Sequence, residues 1–227
     1  MNPGRVDLHI HSTASDGTMT PSEVVRSAIE LGLTAIALTD HDTLAGIAEA
    51  QQAAEGTGLE VIPGVEINSE GEWGDLHFLG YYVDPEAPVL RQRLEAMREA
   101  RLSRARRMIE RLAQMGMPLD WEEVRALAGG ESVGRPHIAR ALVNRGYVTS
   151  TQEAFDRFIG NGGPAYVPRL RLTPPEVIDA IRQAGGVAVL AHPAYSGVMD
   201  RIPEFVALGL QGLEVYYPEH SPEEVET

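Results

Sequence analysis

The chain has 227 residues, 43% of them apolar and 23% charged, with no cysteine and a formal net charge of −14. These values suit an ordinary globular protein long enough to bury a core; the lack of cysteine excludes disulfides and thiolate clusters. No apolar run approaches the roughly 18 residues of a membrane span, and Met-Asn-Pro-Gly-Arg runs into a strand without a signal-peptide core, so a cytoplasmic location is the default expectation.

The first predicted strand is Val6 to His11, followed by a Ser/Thr/Asp/Gly-rich turn to Asp16. Alternation along a strand puts His9 and His11 on one face, where they can grip one ion, and Asp16 can return from the turn with an oxygen ligand. Nitrogen and oxygen donors without thiolate suit Zn, Mn or Fe(II). The competing reading is a strand with one packed and one solvated histidine. Thr20-Pro21-Ser22-Glu23 then starts a helix as N-cap, first-turn proline and capping box, and Gly32 ends it. Thr34 to Leu38 is a continuous apolar strand, completing a β-α-β unit with parallel strands.

Thr39-Asp40-His41-Asp42 follows at that strand's carboxyl end, the rim where α/β proteins carry chemistry. His41 is a candidate metal ligand, Asp40 a candidate for an outer carboxylate that orients an imidazole, and Asp42 or Thr43 the expected cap of a helix reaching about Ala54. The third strand, Leu59 to Ile67, carries Glu66 within an apolar alternation, where a carboxylate is costly to bury without a cation. Only about ten residues separate it from a fourth strand, His77 to Val83, too few for a parallel crossover. A hairpin-like turn is therefore expected, bringing Glu66 and His77 to one rim.

From Pro85 the pattern becomes helical. Val89 to Met115 forms a long amphipathic helix, its methionines read as core filling, and shorter helices follow at Trp121 to Leu127, Pro136 to Arg145 and Thr151 to Ile159. All basic residues are arginine, and 13 of the 19 lie between 85 and 165 beside 10 acids, leaving 6 against 23 elsewhere. This asymmetry fits an arginine segment that recognises phosphate, or equally a solvated face laced with Glu-Arg pairs. Within it Gly134-Arg135-Pro136-His137 opens a helix whose amides and flanking arginine suit an anion, although a simple helix start with a surface arginine accounts for it as well. We read residues 1–84 and 166–227 as the body and 85–165 as an all-helical insertion.

In the body's second part, Thr173-Pro174-Pro175-Glu176 starts another capped helix ending at Gly185-Gly186. Val187 to Ala191 is a buried strand that delivers His192 to the functional rim. A short helix spans Ile202 to Leu208, a last strand spans Gly212 to Tyr216, and Glu219 and His220 are expected in a solvated loop before a helix beginning at Pro222.

Taken in order, His9-x-His11 with Asp16, Thr39-Asp40-His41, Gly64-Val65-Glu66, His77 with Leu79-Gly80-Tyr81, and Ala191-His192-Pro193 resemble the PHP family, named for polymerase and histidinol phosphatase. Gly134-Arg135-Pro136-His137 and the helical segment are similar to the branch acting on nucleotides and short RNA. The resemblance implies a distorted seven-stranded (β/α) barrel of the α/β class and two to three divalent ions, Mn foremost with Zn or Fe as alternatives. It implies His9, His11 and Glu66 around one ion, Glu66 bridging to a second held by His77 and His192, and Asp16 and His41 on a third. It further implies Arg135, with Arg169 and His137 as weaker candidates, at the substrate phosphate. The expected partner is a phosphorylated small molecule, nucleotide or short single-stranded RNA.

The implied reaction is in-line attack on phosphorus by a metal-bridging hydroxide. The family's last Gly-Ser-Asp-x-His motif is missing, so a C-terminally incomplete chain of weakened activity is expected. Two rivals stand beside this reading: an amidohydrolase-like C–N hydrolase, disfavoured because its usual bridging lysine has no counterpart, and a noncatalytic PHP module serving assembly or regulation.

Overall fold

The structure, a computed structural model, describes residues 4–71, 74–128, 133–168 and 172–226. It divides into two compact units, residues 1–94 with 171–227 and residues 95–170.

The first unit is an α/β structure built on one sheet ordered β1-β2-β3-β4-β5-β6. Its first strands are β1 (Arg5–Ile10) and β2 (Leu33–Leu38), which run parallel across α1 (Pro21–Glu30). Thr20 caps α1 and closes the expected box with Glu23, a motif whose loss costs about 1 kcal/mol. Gly32 adopts φ +69° to end the turn, a conformation that glycine reaches without a Cβ clash. Val25 and Ala28 bury one face of α1 in a core with Ile36, Leu38, Ile47 and Ala50.

The next helix, α2 (Ile47–Ala54), starts later than expected: its N-cap is Gly46, with no side-chain cap. Asp42 is drawn elsewhere. Its carboxylate accepts from the Asn68 backbone N–H and Nδ2, both at 3.2 Å, and its own N–H donates to the Glu66 carbonyl at 2.8 Å. A carboxylate that knits the second strand's end to the third is therefore unavailable as a cap.

β3 (Glu60–Gly71) joins β2 in parallel and turns back into β4 (Gly74–Tyr81) as an antiparallel pair. The expected hairpin is present, and both strands run closer to the turn than the apolar pattern indicates. Gly64 is required where the strands crowd, since a Cβ there would meet the Leu38 carbonyl oxygen at 2.9 Å. α7 (Pro174–Gln183), capped by Thr173 with Glu176, leads into β5 (Val187–Leu190), which pairs antiparallel with β4. The chain continues through α8 (Pro193–Ser196) and α9 (Ile202–Leu208) to β6 (Gly212–Leu213), parallel to β5, and then to α10 (Pro222–Glu226).

The described residues hold six strands, the number the sequence pattern gives, and not the seven of the complete family barrel. The last ends at Leu213 rather than Tyr216, because no further strand among the described residues pairs with it; Val215 and Tyr216 leave the ladder, 42% and 84% exposed. The sheet is nonetheless curled: His9 of β1 reaches Glu214, just past β6, at 2.8 Å, so the sheet's two edges meet through their side chains.

The second unit holds most of α3 (Pro88–Gln114), with α4 (Trp121–Ala128), α5 (Arg135–Asn144) and α6 (Thr151–Ala154), the last continuing as a π-helical turn at Phe155–Ile159. Met108, Leu112, Val124, Ile138 and Leu142 lie in its buried core, so Met108 fills as expected, whereas Met115 at the helix end is 40% exposed. Arg104 Nε donates to the Val167 carbonyl at 2.6 Å and Arg111 to that of Tyr166, tying down the segment that leaves the unit.

Candidate metal centre

Strand alternation carries His9 and His11 to one side of the sheet, and the turn after them is held by a buried acid. Asp40 accepts from the Ser12 N–H and Oγ, both at 2.7 Å, and from Ser15 Oγ at 2.6 Å. Asp40 was expected to orient an imidazole; its oxygens are instead taken by a backbone amide and hydroxyls of the turn that presents Asp16. Gly17 lets that turn close, since a Cβ there would stand 2.4 Å from the His11 carbonyl oxygen.

At the centre is Glu66, 1% exposed. Its Oε2 lies 3.2 Å from His9 Nε2, 2.9 Å from His11 Nε2 and 3.2 Å from His41 Nδ1; its Oε1 lies 2.7 Å from His77 Nδ1 and 3.6 Å from His192 Nε2. Five imidazoles, two from β1 and the residue after it and one each from the segment after β2, from β4 and from the segment after β5, thus face one buried carboxylate. On the flank, Asp16 Oδ1 accepts from His11 Nδ1 at 2.7 Å, and its Oδ2 stands 3.8 Å from His41 Nε2. Three ligand groups emerge, each with donor atoms close enough to share an ion: His9, His11 and Glu66; His11, Asp16 and His41; and His41, Glu66 and His77.

The donors fit a cation better than they fit one another. His11 Nε2 and Glu66 Oε2 are buried and, although 2.9 Å apart, neither has a hydrogen-bond partner. Two lone-pair atoms brought together without alignment, in a set of nitrogen and oxygen donors, suit Zn, Mn or Fe(II).

The electrostatics agree. Burial works against a charged His9, but the hydrogen-bonded Glu214 and the nearby Glu66 carboxylate prevail and raise its pKa to about 9. His11 is likewise opposed by burial and lifted by Asp16 and Glu66 to about 10. Asp16 is lowered to about 2, chiefly by the hydrogen bond from His11. Glu66 is held well below the usual carboxylate range, its burial overcome by the imidazoles of His11, His192, His77 and His9 that face it. His41 is pushed down, mainly by burial. The site therefore carries a fixed negative charge that attracts positive charge, proton or metal.

These side chains line a cavity of about 570 Å³ together with Asp7, Glu214, Tyr216, Tyr217, Pro218 and Glu219. Sequence reasoning missed Glu214. Its Oε1 accepts from His9 Nδ1 at 2.8 Å and its Oε2 from the His192 backbone N–H at 2.9 Å. The signal existed: Gly212-Leu213-Glu214-Val215 repeats the apolar setting of Gly64-Val65-Glu66-Ile67. Tyr217 was also missed; its ring centroid lies 5.0 Å from that of His192. His220, expected in a solvated loop, instead directs Nδ1 at the Val215 carbonyl at 2.9 Å and buries Nε2, because the chain folds back at Pro218.

In the helical unit, Arg135 donates to Asn161 Oδ1 at 3.0 Å and lies over the rings of Phe155 and Tyr166. His137 Nδ1 accepts from the Gly134 N–H at 3.0 Å, which makes it a cap of α5. Arg169 lies outside the described residues.

Comparison with known proteins follows the same lines. Residues 7–102 match the PHP domain. The 5'-3' exoribonuclease of Haemophilus influenzae is 39% identical over 216 residues, 93% of this chain and 78% of that protein. The 3',5'-nucleoside bisphosphate phosphatase of Chromobacterium violaceum is 37% identical over 224 residues, 95% of this chain and 78% of that one. Among solved structures, a protein from Bifidobacterium adolescentis described as a metal-dependent phosphoesterase superposes with a TM-score of 0.80 at 38% identity, covering 97% of this chain and 80% of its own.

Proposed function

This chain belongs to the PHP domain family, and on that footing we propose that it is a divalent-metal-dependent phosphoesterase that hydrolyses phosphate esters of nucleotides or of the ends of short RNA. The observation that carries this reading is the buried Glu66 carboxylate faced by five imidazoles at 2.7–3.6 Å. Such a set would hold two or three divalent ions, with Glu66 among the donors of two of the three ligand groups, and Mn is our first choice for this mixture of imidazole and carboxylate. Divalent ions held there would lower the pKa of water, so that it can attack phosphorus in line, and would neutralise charge on the phosphoryl oxygens.

The protein's own residues supply the rest. Glu66 stays ionised and fixes the histidines about one centre; Asp40 holds the turn that carries Asp16, and so the shape of the rim. With no cysteine in the chain, and with the hydroxyls of Ser12 and Ser15 given to the Asp40 carboxylate that shapes the turn, direct attack by water is favoured over a covalent intermediate. Arg135 is our candidate for the substrate phosphate: among the described residues its guanidinium meets a neutral amide oxygen and two aromatic rings, so its charge is left for an anion. No described helix is long and apolar enough to cross a membrane, and we place the protein in the cytoplasm.

The test measures bound metal and phosphate release from nucleoside monophosphates, nucleoside bisphosphates and 5'-phosphorylated oligoribonucleotides. The expected outcome is release that needs Mn, stops with chelator and is lost in His9→Ala. Release that persists through chelation and through His9→Ala would overturn the reading.

A further inference from the structure

We infer that Glu214 is a positioning residue of the metal centre, one carboxylate that locks two ligand histidines contributed by opposite ends of the sheet. His9 belongs to β1, and His192 follows β5. Glu214 stands just past β6 and spends one oxygen on each: Oε1 at 2.8 Å from His9 Nδ1, Oε2 at 2.9 Å from the His192 N–H.

The two bonds do different work. A carboxylate can only accept, so Nδ1 of His9 must carry the hydrogen and Nε2 is left as the nitrogen that faces Glu66, at 3.2 Å. This is the arrangement in which an outer carboxylate sets the tautomer and ring orientation of a metal-binding imidazole and strengthens it as a donor. The second bond acts on backbone. His192 has φ +33° and ψ +56°, a left-handed conformation that is strained for a non-glycine residue and persists only where surroundings hold it. The Glu214 bond to its amide is such a hold, and in that conformation Nε2 reaches to 3.6 Å from Glu66 Oε1. Glu214 is itself anchored, its own N–H donating to the Leu190 carbonyl at 2.9 Å, so the clamp is referenced to the same strand that launches His192.

The inference rests on the metal-centre reading, and the experiment keeps the two apart. Mn affinity is measured by competition with a chelator in wild type, Glu214→Ala and Glu214→Gln, with the visible spectrum of the Co-loaded proteins and the melting temperature of the metal-free proteins recorded alongside. The expected result is affinity reduced by about 10- to 100-fold in Glu214→Ala, as for other outer-layer partners of metal ligands. The near-isosteric Glu214→Gln should fall between, because its single carbonyl oxygen can accept from His9 or from the His192 amide but not from both. An altered Co spectrum should accompany both losses, and Glu214→Gln decides the matter if Glu214→Ala does not fold. Variants that bind Mn within twofold of wild type with an unchanged Co spectrum, or that lose only melting temperature, would overturn the role of Glu214. A wild-type protein that binds no divalent ion would overturn the metal centre itself.

Discussion

A buried charge, beside exposed ion pairs of the ordinary kind, sets the first unit apart from the helical one. In the first, a carboxylate that is 1% exposed is surrounded by imidazoles, and little there is neutralised by solvent. In the helical unit, charge is spread over the surface in short-range pairs such as Arg145 with Glu123 at 2.6 Å, whose side chains are 49% and 26% exposed. Pairs of the second kind are worth between nothing and about 1 kcal/mol, whereas a buried charge stripped of its partners costs several times more. Concentration and burial of charge therefore mark where chemistry resides; its amount does not.

The sharpest break of that contrast is Glu66→Gln. An uncharged amide keeps the volume but removes the negative centre that all five imidazoles face. We expect tight metal binding to be lost and phosphate release to fall by roughly 10²- to 10³-fold, the scale of removing one preorganised electrostatic contact. Metal content and turnover measured on one preparation test this; metal bound as in wild type would show that the histidines suffice without the acid.

Protons and metal ions compete for the same lone pairs, which gives the next effect and its sign. With pKa values raised to about 9 and 10, His9 and His11 favour the folded metal-free protein while they are protonated. That stabilisation is complete below the ordinary histidine value of about 6.5 and is lost as pH climbs through 9 to 10. The metal-free melting temperature should therefore decline over that interval. Metal binding runs the other way, because the ions need deprotonated imidazole. The rise in melting temperature on adding Mn should grow between pH 6.5 and 9; an increment that shrinks there would place these histidines outside the metal site.

Much of this centre was legible because its parts obey local rules. Period-two alternation puts His9 and His11 together, a carboxylate within an apolar alternation exposes Glu66, and a gap too short for a crossover predicts the hairpin that brings His77 to it. Three features were not legible, two through competition between partners and one through a property of the whole sheet. Asp42 has the residue type of a cap, but Asn68 across the sheet claims its carboxylate, so the helix begins at Ile47. Asp40 has the type of an imidazole's partner, but the hydroxyls of Ser12 and Ser15, from the turn after the first strand, take its carboxylate. Glu214 shares the sequence setting of Glu66, yet its role depends on the sheet curling until β1 meets the end of β6, a property of the whole sheet that no local window contains.

The smallest expected effects sharpen the contrast within the helical unit itself. Arg135 and Arg145 stand at opposite ends of α5: one lies over two rings beside a neutral amide, the other is paired with Glu123 through both Nε and Nη2. If Arg135 holds the substrate's phosphate, Arg135→Ala removes hydrogen bonds to a charged group worth about 1.5–3 kcal/mol, a roughly 10- to 100-fold loss in kcat/KM expressed mainly in KM. Arg145→Ala removes an exposed ion pair and should leave stability close to wild type, with KM unchanged. The contrast between the two variants is what matters: equal small losses in both would return Arg135 to the solvated-face reading that the sequence alone left open. A KM effect confined to Arg135, at unchanged metal content, assigns that arginine to the substrate, because neither the ions nor the fold would have moved.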